Sequence, residues 1–91
     1  MRRIDFDAIV FREGPTFVAY CPELDVSSCR KDVDEARQNL RTAARVFLEE
    51  AERMGTLEQI LEEGGYVLDA SGEYTPPRIV LSESMEVQVG R

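Results

Sequence analysis

Histidine and tryptophan are absent from this chain, and cysteine occurs only twice. Without an imidazole there is no His general base, so Ser–His and Cys–His nucleophile pairs are excluded, together with most zinc sites. Long apolar runs are also missing. The longest, Phe17-Val18-Ala19-Tyr20-Cys21, falls far short of the ~20 residues that a membrane helix needs. The basic start, Met1-Arg2-Arg3, leads into no apolar stretch, so no secretory signal is read there and a cytoplasmic protein is expected. In that compartment Cys21 and Cys29 are thiols. Positive charge is scarce as well. Eleven bases face 18 acids for a net charge of −7, the reverse of what a free-standing nucleic-acid binder requires. No glycine-rich loop opens a helix, so there is no phosphate cradle.

What remains suits one small domain over residues 1–91. Hydrophobic residues make up 43% and charged residues 32%, enough for a thin core of two layers. The charge is uneven along the chain. Residues 1–31 are neutral overall, whereas residues 56–91 carry seven acids against two bases, a net of −5. That excess is read either as a solubility device or as an acidic face for a basic partner.

The order of elements points to an α+β fold. Ile4 to Phe11 begins with strict alternation and ends apolar, a strand with Ile4, Phe6, Ala8 and Val10 on one face. After a turn at Arg12-Glu13-Gly14-Pro15, Thr16–Cys21 reads as a second strand with Phe17, Ala19 and Cys21 on one face. Pro22-Glu23-Leu24-Asp25 breaks it, and Val26–Cys29 forms a third. These strands make a three-stranded antiparallel meander in which Cys21 lies near Val26 and Cys29 near Val18, a register that keeps the two sulfurs apart. Asp32-Val33-Asp34-Glu35 has the form of an N-cap with a glutamate at N3. Apolar residues then recur at 36, 40, 43, 44, 47, 48, 51 and 54, the stripe of a long amphipathic helix that Gly55 closes. Thr56–Gln59 opens a short second helix, stopped by Gly64-Gly65. Asp69–Pro77 reads as a loop and Arg78–Leu81 as a strand. Alternation of Met85, Val87 and Val89 with Glu86 and Gln88 extends this C-terminal strand region over 78–89. The expected order is β-β-β-α-α-β, with the long helix packed on one face and the late strand joining the sheet.

No catalytic, cofactor or metal site emerges from these residues. Asp5 and Asp7 would suit a divalent-metal nuclease only if a further carboxylate converged on them, and their alternation with Ile4, Phe6 and Ala8 marks a polar strand face. Ser27 and Ser28 have no activating partner. Arg37, Arg41 and Arg45 recur along one helix edge, where they either hold phosphate or an acidic partner or pair locally with Asp34 and Glu49. Tyr20, Pro22 and Leu24 at a hairpin end form either an exposed apolar patch or ordinary core. Met85, Val87 and Val89 offer an apolar face at a sheet edge, and edges of this kind are blunted or paired with another chain, so a homodimer is expected.

The run Phe17 to Ser28, followed by Asp34-Glu35-Ala36, Asn39-Leu40, Ala43 and Phe47 to Ala51, resembles the HicB-type antitoxins. That family has a strand ending in an aromatic-x-Pro-x-Leu motif, here Tyr20-Cys21-Pro22-Glu23-Leu24, then a strand ending Ser-x-Gly and a helix beginning Glu-Glu-Ala. The resemblance covers about residues 3–54. It implies a partial RNase H-like fold without nuclease activity. It also implies that the chain neutralises a small basic ribonuclease toxin of the HicA type, or else serves as a stand-alone binding or scaffold module without a toxin. In the first case Tyr20, Pro22 and Leu24 would be the apolar anchor, and acids such as Glu73, Glu83 and Glu86 would steer the toxin. Arg30 stands where the family usually has glycine, which predicts a different turn into the helix. The DNA-binding module that many relatives carry does not fit into the 26 residues after Gly65, so the isolated chain is not expected to bind DNA.

Overall fold

The structure, a computed structural model, describes residues 2–90. Three strands, β1 (Ile9–Glu13), β2 (Thr16–Cys21) and β3 (Val26–Arg30), form an antiparallel meander in that order. Gly14 takes φ +62° at the first central position of the two-residue β1–β2 loop, a conformation that L side chains rarely adopt. Val18 lies opposite Cys29 and Val26 opposite Cys21, the register expected from the spacing, and both cysteines are free.

The helix α1 (Val33–Met54) lies across β2 and β3. Its cap is the one the sequence announces: the Asp32 carboxylate accepts from the Glu35 N–H at 2.8 Å, and Asp34 and Glu35 sit at the positive end of the helix dipole. At the other end Gly55, at φ +77°, donates to the carbonyls of Ala51 and Glu52. Ala36, Leu40, Ala44 and Ala51 turn inward, toward Ala19, Cys21 and the flanking Phe17. The small residues let the helix approach the sheet closely, and Leu40, 1% exposed, is the largest fully buried side chain at that contact. Asn39 donates to the Ser28 hydroxyl at 2.8 Å and so ties the helix to β3. The short α2 (Leu57–Glu63) then folds Leu57 and Leu61 onto the same core. Thr56 makes no side-chain cap; its hydroxyl lies 3.4 Å from the Ala51 carbonyl.

Two expectations are corrected. First, β1 starts at Ile9 rather than Ile4. Its ladder ends where Ile9 meets Tyr20, because β2 stops at Cys21 and Pro22 has no N–H to extend it. Residues 4–8 run on without a strand partner and are held by side chains instead. Second, the late extended pairing lies at β4 (Val67–Leu68) and β5 (Tyr74–Thr75), a two-stranded sheet of its own and no addition to the meander. Asp69 shapes the turn between them by accepting from the N–H groups of Ser71 and Glu73. The C-terminal strand region of 78–89 is not a strand: its residues join no ladder and are exposed. Pro76 is buried and Pro77 packs against Gly65, so the chain leaves the body there with no neighbouring strand to receive it. Arg30 itself carries no glycine-like backbone. It is the last ladder residue of β3, opposite Phe17, and the left-handed residue lies earlier, at Asp25 with φ +54°.

Candidate protein-binding surface

The link between β2 and β3 is a structural centre rather than a free loop tip. Glu23 and Leu24 are both buried. The Glu23 carboxylate accepts from the Asp7 N–H at 2.9 Å and from the Cys21 thiol at 3.6 Å, which draws the unpaired segment 4–8 onto the sheet. Its carbonyl abuts Gly64 so closely that a Cβ there would stand 2.3 Å away. Tyr66 completes the tie by donating to the Asp5 carbonyl at 2.5 Å. Desolvation pushes the Cys21 thiol up to about 11 and raises the Tyr66 hydroxyl too, with the nearby Glu23 acting in the same direction. One Asp7 carboxylate oxygen is buried and accepts no hydrogen bond. Among the described residues no three acidic or thiol side chains are placed to share a metal ion, and it is the backbones of Asp5 and Asp7 that fasten the N-terminal segment.

This divides the expected anchor. Leu24, 6% exposed, belongs to the core and cannot be offered to a partner. Pro22 is exposed, and Tyr20 is half-buried with its hydroxyl donating to Asp25 at 2.9 Å, a bond that raises the Tyr20 pKa. Tyr20 has closer company than Leu24. The pairing Ile9–Tyr20–Ser27 and Phe11–Val18–Cys29 puts these six residues on the sheet face away from α1. None of the six is charged, and none packs into the core. Ile9 and Phe11 remain 37% and 44% exposed. An antiparallel sheet with one solvated face ordinarily alternates apolar with polar residues, so this face departs from the pattern. The signal was present in the sequence: Ala8-Ile9-Val10-Phe11 and Phe17 to Cys21 are apolar at both parities, which means both faces are apolar. The regular inward set drew attention from it.

The acidic residues of the last third surround the body rather than forming one site. Glu58, Glu62 and Glu63 are exposed on α2, Glu73 lies at the tip of the β4–β5 hairpin, and Glu83 and Glu86 lie on the projecting C-terminal segment with Met85, Val87 and Val89. Hydrogen bonds from Ser71 and Glu73 hold the Asp69 carboxyl below the usual range. Of the arginine stripe, Arg37 pairs with Asp34 at 3.2 Å, while Arg41 and Arg45 make no ion pair among the described residues. Arg37 and Arg41 instead rim a cleft of about 620 Å³ between α1 and residues 4–8, floored by Ile4, Phe6, Ala8 and Leu40. No helix among the described residues is long and apolar enough to cross a membrane.

The chain matches no protein-family model, no curated protein and no solved structure.

Proposed function

We propose that this chain is a HicB-type binding protein that neutralises a small basic ribonuclease toxin by direct contact. The observation that carries the reading is the uncharged patch on the outer face of the meander, Ile9, Phe11, Val18 and Tyr20, which is used by nothing in its own core. A desolvated apolar anchor of this kind supplies what charge alone does not, since tight interfaces concentrate their energy in buried aromatic and aliphatic residues. Pro22 extends it at one end. The net charge of −5 over residues 56–91 complements a basic toxin and speeds encounter by steering. Further support is the resemblance of residues 3–54 to the HicB family, whose strand–strand–helix motif order is kept here. On this reading the protein works in the cytoplasm, carries no cofactor, performs no catalysis and does not bind DNA as an isolated chain. It also pairs with itself through Met85, Val87 and Val89.

The experiment is a search for an adjacent reading frame that encodes a small basic protein, then co-expression with it or with candidate HicA-type toxins, co-purification and a growth-rescue assay. A toxin should co-purify, and Phe11→Arg should abolish rescue without unfolding the chain, because Phe11 is half in solvent already. Glu73→Lys with Glu86→Lys should slow association at low salt and matter little at high salt. Recovery of the intact chain without any basic ribonuclease, and no rescue from candidate toxins, would leave the stand-alone module as the reading. Cleavage of RNA or DNA with Mg²⁺ or Mn²⁺ that Asp5→Asn abolishes would overturn the non-enzyme reading.

A further inference from the structure

Two features of this chain are each incomplete alone and fit one another. The first is the segment after Pro77. Met85, Val87 and Val89 are 82%, 79% and 92% exposed, although their alternation with polar residues is that of a half-buried strand. The radius of gyration is 15.6 Å, against about 12 Å for a compact chain of this length, because the segment stands off the body. Nothing in it favours a return. Its first residues include the β-branched Ile79 and Val80, which are stiff and extended by preference, and its one glycine is Gly90, beyond the apolar residues. The second feature is the cleft between residues 4–8 and α1. Its floor presents the apolar Ile4, Phe6 and Ala8 beside the acid Asp5, and the rim carries Arg41, which has no ion partner among the described residues. The wall of the same cleft includes Arg78, so the projecting segment of each chain begins at the mouth of its own cleft.

We infer that the C-terminal segment of one copy lies in the α1 cleft of a second copy, and that the exchange is reciprocal. In an extended segment Glu83, Met85, Val87 and Val89 share a face, since all are odd-numbered. The three apolar side chains meet the cleft floor and Glu83 meets Arg41, while Glu86 and Gln88 face water. The Asp7 N–H and the Asp5 carbonyl are already taken by Glu23 and Tyr66, but Ile4, Phe6 and Ala8 have no strand partner, and on their side the segment supplies a neighbouring strand. A two-fold axis near the two Arg78 residues closes the pair, and closure limits assembly to a dimer. The inference rests on self-association through Met85, Val87 and Val89 and is independent of the toxin.

The test is the molar mass by light scattering at ~100 μM, a concentration high enough to register small interfaces. The full chain should give twice 10.3 kDa, and a chain ending at Arg78 should give the mass of one truncated chain, with an unchanged circular dichroism spectrum in the helix region. Arg41→Glu and Glu83→Arg should each weaken the dimer at least tenfold, and the two together should restore it. For a direct readout, Cys29→Ser chains carrying Val87→Cys are mixed with Cys29→Ser chains carrying Gln38→Cys, and oxidation should link one of each. A monomeric full chain would overturn both the seat and the self-association. A dimer that survives truncation at Arg78 would overturn the segment's role. A dimer lost on truncation but indifferent to Arg41 and Glu83, with no link between the Val87→Cys and Gln38→Cys chains, would overturn the seat while leaving self-association by the segment in place. A link formed only within a single chain bearing both substitutions would overturn the exchange, because the segment would then occupy its own cleft.

Discussion

Gly64→Ala is a substitution whose sign depends on tertiary packing. Gly64 sits at φ −77°, ψ −1°, a conformation any L-residue adopts without strain. Local considerations therefore favour alanine, which restricts the unfolded chain and stabilises by ~0.4–1 kcal/mol at compatible sites. The packing opposes it. The added Cβ would stand 2.3 Å from the Glu23 carbonyl oxygen and 3.3 Å from its carbon, and both atoms are backbone. Neither can rotate away. Relief requires moving the β2–β3 link, which would disturb the hydrogen bond from Asp7 to Glu23 and the burial of Leu24. Overpacking of this kind costs ~1–3 kcal/mol, and the backbone contact places this case at the upper end. After the local gain is deducted, a net loss of ~1–2.5 kcal/mol is expected. A domain of this size is stable by only ~5–14 kcal/mol, so the loss should lower the midpoint of thermal unfolding by roughly 5–20 °C. Paired melts of wild type and variant by circular dichroism give the answer. An unchanged or raised melting temperature would refute the close approach of the link to α2, and with it the assignment of Leu24 to the core.

Leu40→Ala should destabilise by ~2–5 kcal/mol in a urea titration, since Leu40 is 1% exposed and holds the helix to the sheet; a loss below about 0.5 kcal/mol would contradict that packing. Removing the cap with Asp32→Ala should cost ~0.5–2 kcal/mol, read from the same titration, whereas Thr56→Ala should cost less because Thr56 makes no side-chain cap. Tyr66→Phe deletes the bond to the Asp5 carbonyl, worth ~0.5–1.5 kcal/mol, and should speed amide hydrogen exchange at residues 4–8 more than in α1. Cys21 titrates at about 11 in the folded chain against an ordinary 9.0, so the unfolded chain loses its proton first as pH rises. Stability should be constant below pH ~8.5 on this account and fall toward pH ~11; Cys21→Ser should flatten part of that slope in denaturant midpoints taken across the range. Under native conditions only Cys29 should react with a thiol reagent, and Cys21 should follow on unfolding.

The sequence alone determined the local features of this protein. Asp32 and Gly55 bound α1 because a side-chain acceptor at N-cap and a left-handed residue at C′ are chemical requirements met within one turn. The register of β2 on β3 followed from the length of the link between them, and the inward set Phe17, Ala19 and Cys21 from a period of two. Tertiary structure decided what depends on neighbours. Periodicity could not say where β1 would begin, because a strand ends where its partner ends and β2 stops at Pro22. It could not separate Leu24 from Tyr20, since burial of a turn residue depends on whether another element, here α2 at Gly64, packs over the turn. The apolar outer face was written in runs that are hydrophobic at both parities, yet such runs mean a buried strand when both faces are covered and a binding surface when one is not. That α1 covers one face and the described residues leave the other open is a matter of how many layers the chain builds, and no local pattern encodes that number.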